Sequence, residues 1–375
     1  VCDIVCLRVD IVQTVVCIAS SSANAKLPQE SQKYRRRKNM NRQWQLARRP
    51  EAEALADHFR YVTLDVPEIS GADDILIRNR FLSLDPYMRW RMNDTKSYAK
   101  PVGIGDVMVG ATVSEVIHSN DPLFAAGDIV VAGGGWQDYA IVKSDGLRKI
   151  DPAGASLTAY LGVLGSPGFT AYAGLMKIGE PKTGETVVVG AATGPVGSLV
   201  IQLAKMAGCR AVAVAGGPDK CRLAVDRFGA DAAVDHRDPD LAGMLAGACP
   251  NGIDVYFENI GGRVLDAVIP LLNPFARVPV CGLISQYNGI EDRSDAISLA
   301  QLMQDTLVKR LLVRGFIVTD YQAYRDEFLA LATPQVASGA IVAMEDIVDG
   351  LENAPTAFLG LLNGKNKGKL IIRID

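Results

Sequence analysis

Two rhythms of apolar residues divide the chain. From Thr170 to about Phe316, short β-branched and apolar runs alternate with stretches whose apolar positions recur at helical spacing. Residues 187–190, 211–215, 233–235, 254–258, 278–281 and 313–317 predict buried strands, and Val196, Leu199, Val200, Leu203 and Ala204 predict a helix between the first two. Strands joined by helical crossovers predict an α/β, doubly wound parallel sheet. From Met40 to about Ser166 the rhythm changes. Residues 74–78, 109–117 and 128–131 read as short strands separated by Gly, Pro, Asp and Asn clusters, which predicts a β-rich unit. A helix is expected over 345–362, then a turn over 363–368 and a final strand over 369–374. That strand is expected to fold back onto the β-rich unit, leaving a cleft between the two parts.

Composition narrows the class. A chain of 375 residues with 36 glycines and 49% hydrophobic residues suits a two-domain α/β enzyme. Its net charge of −3 gives no electrostatic case for a nucleic-acid partner, and no uninterrupted apolar stretch is long enough to predict a membrane span. Residues 1–39 differ from the rest: a charge-interrupted apolar stretch leads into the basic run at 35–38, so a disordered extension is expected ahead of Met40. Cys2, Cys6 and Cys17 fall in that extension. Cys209, Cys221, Cys249 and Cys281 show no tight pairing pattern, so a cytoplasmic setting is expected rather than a disulfide scaffold.

The candidate chemistry begins at Gly190–Gly197 (GAATGPVG), where the first α/β strand hands over to its helix. A glycine turn here lets backbone N–H groups and the positive helix end hold a pyrophosphate, although Ala192 replaces the first glycine of the six-residue fingerprint. At the end of the next strand, where an NAD enzyme places a carboxylate for the ribose 2′-hydroxyl, the chain reads Gly216-Gly217-Pro218-Asp219-Lys220. Two glycines leave room for a 2′-phosphate and Lys220 offers it a charge, so NADPH is expected over NADH. Two other readings stand beside this one: Lys220 and Arg222 as a solvated helix start, and Asp219 turned toward the ribose.

A wider pattern carries a resemblance. Residues 84–89 (LDPYMR), 92–98, 107–112, 162–172, the glycine turn, 216–222, 254–270 (with FENIGG), 277–288 (with CGLISQYN) and 364–369 resemble the zinc-independent, double-bond-reducing branch of the medium-chain dehydrogenases/reductases. The bacterial NADPH-dependent curcumin reductases are nearest within it, with prostaglandin and alkenal reductases as cousins. The resemblance covers Met40 onward. It implies a GroES-like catalytic domain (40–165 and 325–375), a Rossmann NADPH-binding domain (166–324), and a homodimer formed through edge strands of the nucleotide domains. No metal site is expected: no cysteine occurs from Asn41 to Gly208, and His58 and His118 lack a ligand cluster.

Without a metal, a substrate carbonyl must be held by hydrogen bonds. The implied activity is NADPH-dependent reduction of the C=C bond of an α,β-unsaturated ketone or aldehyde, in which charge develops on the distant oxygen and a phenol O–H can stabilise it. The resemblance implies that Tyr287 holds that oxygen and makes Tyr98 the candidate proton donor; Tyr87, flanked by a proline and a strand, reads as mainly structural, with substrate contact as the alternative. It implies cofactor contacts from Thr193, Gly194, Pro195, Val196 and Gly197 at the pyrophosphate and Lys220 at the 2′-phosphate, with His236 or Arg237 beside it. Further contacts are Asn259 near the ribose and nicotinamide, Cys281, Gly282 and Ser285 along the nicotinamide, Phe316, Ile317 and Val318 at the cleft, and Asn366 in the closing turn. Blander readings remain open: Tyr287 packing its loop, Tyr98 as a surface aromatic, His236 as a neutral surface side chain, Asn259 capping a helix near Gly262, Asn366 shaping a turn. The alternatives for the whole chain are a quinone reductase and a non-catalytic dinucleotide-binding protein.

Overall fold

The computed structural model describes residues 40–289 and 296–374. The extension expected over 1–39 lies outside them. The β-rich part begins with β1 (Met40–Leu46) and β2 (Phe59–Asp65), a two-stranded pair, and continues with β3 (Asp74–Ser83), the short helix α1 (Tyr87–Arg91), β4 (Thr112–Ser119), β5 (Ile129–Ala132), β6 (Tyr139–Lys143) and β7 (Arg148–Lys149). Strand β3 alternates buried and half-buried residues because one face packs on the core, as an antiparallel sheet permits.

Helix α2 (Ser166–Gly174) leads into the α/β part: β8 (Thr186–Val189), α3 (Pro195–Met206), β9 (Arg210–Ala215), α4 (Pro218–Phe228), β10 (Ala232–Asp235), α5 (Leu241–Ala248), β11 (Ile253–Phe257), α6 (Gly262–Val268), β12 (Leu272–Val280), α7 (Leu299–Lys309) and β13 (Leu312–Gly315). All pairings are parallel, in the order β10-β9-β8-β11-β12-β13. This is the doubly wound order that reverses between the first and fourth strands, so a crevice opens beyond the carboxyl ends of β8 and β11. Every residue of β8 is buried, the continuous apolar run that a strand covered on both faces requires.

The chain then returns through α8 (Arg325–Ala337), β14 (Glu345–Asp349), α9 (Ala354–Leu362) and β15 (Lys369–Arg373). As expected, β15 joins the β-rich sheet, antiparallel to β3. Two expectations are corrected. Residues 345–349 are not helical but form β14, parallel to β15 from Glu345↔Lys369 to Asp349↔Arg373, and the helix starts only at Ala354. Ile347, Val348 and Leu351 satisfy strand and helix periods alike, and sheet pairing decides, with Gly350 at φ +87° ending the strand. Strand β12 starts at Leu272 rather than 278, because the register against β11 jumps from Ile253↔Leu272 to Val255↔Arg277. The residues between bulge out, with Phe275 at φ +66°, so Pro274 is tolerated there.

Candidate active site

At the crevice, Gly194 stands before α3 in extended conformation with Pro195 as the first helical residue, and no side chain caps the helix's leading N–H groups. A Cβ on Gly197 would lie 2.5 Å from the Ala191 carbonyl oxygen, so only glycine lets the helix sit this close to the turn. Thr193 is buried, and its carbonyl accepts a bond from Gly368 N–H at 3.1 Å. Open N–H groups on a tightly seated helix suit a pyrophosphate, so the residues fit a dinucleotide.

Beyond β9, the Gly216-Gly217 floor lies under cationic side chains. A Cβ on Gly216 would approach His236 Nε2 to 2.8 Å and Arg237 Nη2 to 3.2 Å. Lys220 Nζ donates to the Gly364 carbonyl at 2.8 Å, and its pKa is lowered by burial and then by the neighbouring Arg237 and Lys367. Burial, followed by Arg237, lowers the His236 pKa, so that ring is neutral near pH 7. Asp346 of β14 acts on Lys220 in the opposite sense and accepts from Lys367 N–H at 3.2 Å, while the two acids beside the glycines are engaged locally. Asp219 pairs with Arg222, and Asp235 accepts from Gly217 and Arg237 N–H, each at 2.9 Å. Thus Lys220, in the first turn of α4, is half-buried rather than fully solvated, and Asp219 is engaged by Arg222. The sequence reading missed Lys367, which only the returning chain brings here.

The loops after β8, β11 and β12 are laced together. Glu258, buried at the end of β11, takes on one oxygen the Ile260 N–H at 2.6 Å, the Gly261 N–H at 2.9 Å and the Tyr256 hydroxyl at 3.0 Å. Asn259 does not cap α6; its Nδ2 donates to the Gly190 carbonyl at 2.9 Å, and its own carbonyl accepts from Ile284 N–H. Ser285 Oγ donates to Ile260 O at 2.6 Å. Cys281 and Gly282 N–H both bond Glu258 O, which sets the 281–287 loop over the crevice. The organising role of Glu258 was not foreseen, although an acid closing an apolar strand was the available signal.

In that loop, Tyr287 Oη lies 3.1 Å from where a Cβ on Gly282 would stand. Burial, then Cys281, pushes its phenol up to about 12, against the Leu283 backbone and Trp90. Trp90 of α1 meets the Tyr287 ring edge-on with centroids 5.7 Å apart. Tyr87, one turn earlier on α1, is half-buried and its phenol is raised by burial, then Asp85 and Tyr98. Tyr98 is 63% exposed on the open side, with its phenol raised by desolvation against Arg91. Tyr87, Tyr98 and Tyr287 thus converge, and Trp90 and Arg91 join them unannounced by the sequence. Phe316 is partly engaged elsewhere, edge-on to Phe257 and Tyr321, and Val318 packs on the same core. Ile317 is half-buried just before Val318, and the Asn366 side chain closes its own turn on Gly368 O. Among the described residues no group of three or more His, Cys, Asp or Glu is placed to hold a metal ion.

Comparison with known proteins bears on this geometry. A family model described as "N-terminal domain of oxidoreductase" matches residues 42–150, and one described as "Zinc-binding dehydrogenase" matches 195–333. The chain is 51% identical to the NADPH-dependent curcumin reductase of Escherichia coli K12, over 90% of this chain and 98% of that protein. The chain belongs to the medium-chain dehydrogenase/reductase family, in the branch of the curcumin and alkenal reductases. Within this family it is 42% identical to a 2-alkenal reductase (NADP(+)-dependent) of Nicotiana tabacum, over 84% of this chain and 91% of that protein. The crystal structure of CurA in complex with NADPH from Vibrio vulnificus superposes with a TM-score of 0.85 at 50% identity, covering 89% of this chain and 99% of that one.

Proposed function

We propose that this medium-chain reductase uses NADPH to reduce the carbon–carbon double bond of α,β-unsaturated ketones and aldehydes. The observation that carries the reading is the Tyr287 phenol, held in its protonated form in the loop that overhangs the doubly wound crevice. NADPH, when bound, supplies the hydride that adds to the β-carbon. Tyr287 Oη donates to the substrate's carbonyl oxygen and stabilises the enolate charge that collects there. Tyr98 retains its proton near neutral pH and delivers it to the α-carbon; its exposure gives it a route to reprotonation from water. Tyr87 borders the substrate. Uncapped N–H groups at Val196 and Gly197 take the pyrophosphate with Thr193, Gly194 and Pro195, and Lys220, Arg237 and Lys367 with neutral His236 take the 2′-phosphate. Asn259, Cys281, Gly282, Ser285 and Asn366 border the nicotinamide half, with Phe316, Ile317 and Val318 at the cleft wall. A quinone acceptor has no need of the Tyr287 phenol, which favours the enone reading.

This reading assigns residues 40–165 and 325–375 to the catalytic domain and 166–324 to the nucleotide domain. It also makes the protein a homodimer: β13 is an edge strand whose residues are all exposed, and Leu299, Met303 and Leu307 repeat along one exposed face of α7. Cys209, Cys221, Cys249 and Cys281 are free thiols, which suits a reducing, cytoplasmic setting. The experiment is an NADPH-oxidation screen across enals, bulky dienones and quinones with product identification. Saturated ketones and aldehydes support the reading; turnover confined to quinones overturns it.

A further inference from the structure

Lys369 is a lysine where the fold has no room for a solvated one: it is 2% exposed, in the first position of β15. Its Nζ donates to the Leu84 carbonyl at 2.7 Å and to Asp85 Oδ1 at 2.8 Å, and the Ser83 hydroxyl bonds the other Asp85 oxygen. These acceptors lie immediately ahead of α1, which carries Tyr87 and the Trp90 ring that meets Tyr287. On the other side, the residue before Lys369 touches the cofactor turn, through Gly368 N–H to Thr193 O at 3.1 Å. There is no slack in that connection. Gly368 has φ +77°, a Cβ there would stand 2.2 Å from Met344 O, and Lys369 N–H is itself bonded to Met344 O at 2.8 Å. Two adjacent residues therefore tie the pyrophosphate turn to the start of the substrate-side helix. An unbranched apolar side chain would fill the same space, and a buried ion pair is often no more stabilising than its apolar replacement. What the ammonium adds is direction: it fixes two acceptors at the root of α1.

We propose that the Lys369–Asp85 pair is a positioning device that sets the wall bearing Tyr87 and Trp90 against the cofactor turn, and so aligns an enone with the nicotinamide. The inference rests on the enone-reductase reading. It separates the two halves of the site, because breaking the pair leaves Lys220 and the turn intact while α1 loses its fixed root.

The test uses the full chain carrying Asp85→Asn with Lys369→Met, which removes both charges together. The measurements are the NADPH dissociation constant, the KM for benzylideneacetone, the melting temperature, and the Trp90 emission spectrum with Trp90→Phe as the blank. The expected result is an enone KM raised at least about 10-fold with NADPH affinity within about 3-fold of wild type, as a displaced wall predicts, and a shifted Trp90 emission. Wild-type enone kinetics with unshifted emission in a folded double variant overturns the inference. So does a parallel loss of NADPH and enone binding with a lowered melting temperature. If the double variant does not fold, Ser83→Ala decides, since it frees one Asp85 oxygen and should raise the enone KM alone, by about 3-fold; an unchanged KM overturns the inference. Should the wild type bind NADPH yet reduce no enone, the functional reading fails, and the emission measurement still tests the positioning.

Discussion

Tyr287 and Lys220 are the two side chains on which reaction and cofactor choice turn. Because burial pushes the Tyr287 phenol up to about 12, its proton stays in place where a solvated tyrosine would ionise. Enone turnover should accordingly show no loss attributable to this group until pH passes about 11, well above the ordinary tyrosine value near 10; a pH–rate profile that breaks near 10 and loses that break in Tyr287→Phe contradicts this. Tyr287→Phe should lower kcat by about 10- to 1,000-fold, the upper end being the loss of a full oxyanion donor, with the KM for NADPH nearly unchanged. Lys220→Ala should raise the KM for NADPH and leave that for NADH almost unaltered, since only NADPH carries the 2′-phosphate; equal losses for both would remove Lys220 from that role. Lys220 stood out because it follows a recognisable strand end, and Tyr287 because its CGLISQYN loop carries the family resemblance. Lys367 and Trp90 did not, because their places depend on contacts between segments distant in sequence: Lys367 reaches the pocket only when β15 closes on the β-rich sheet. Glu258 was passed over although its side-chain partners, Tyr256, Ile260 and Gly261, are all local.

At the scale of elements, the glycine turn and α3 are the most sharply determined. A methyl group on Gly197 meets backbone, Ala191 O at 2.5 Å and Ala192 Cα at 2.8 Å, and backbone cannot swing away as a side chain can. Gly197→Ala should therefore push out the helix start, costing about 1–3 kcal/mol of stability, as overpacking does, and weakening NADPH binding measured by titration. Unchanged affinity and stability would show that the turn tolerates a Cβ. The run over 187–190 and the helical spacing of Val196, Leu199 and Leu203 were clear in sequence because β8 and α3 are buried by a single, consistent pattern. Strand β14 was not, since residues 345–351 satisfy both periods and only pairing with β15 selects one. Strand β1 escaped as well: MNRQWQL is too polar to read as buried, and it is held by pairing with β2.

The larger β-rich sheet and the α/β sheet share one buried apolar cluster, which includes Val113, Ile150 and Ile371 of the β-rich part and Val187 and Phe257 of the α/β part. That continuity keeps the tyrosine wall and the cofactor turn in a single unit. Among the described residues the apolar face of α7 and the strand β13 are exposed, and the proposed dimer would use both. Light scattering on a sizing column should give twice the chain mass, and Leu307→Glu with Val313→Arg should halve it; a monomeric wild type contradicts the dimer. The doubly wound parallel sheet was readable from the alternation of the α/β part and the return of β15 to the β-rich sheet was expected, whereas the insertion of β14 beside β15 depends on a pairing that no local pattern encodes. The central claim is that hydride goes to the β-carbon while Tyr287 holds the oxygen. The most direct measurement uses NADPH deuterated at the transferred position, with an enone acceptor and NMR of the product. The account predicts a saturated ketone with deuterium at the β-carbon; an allylic alcohol labelled at the former carbonyl carbon contradicts it.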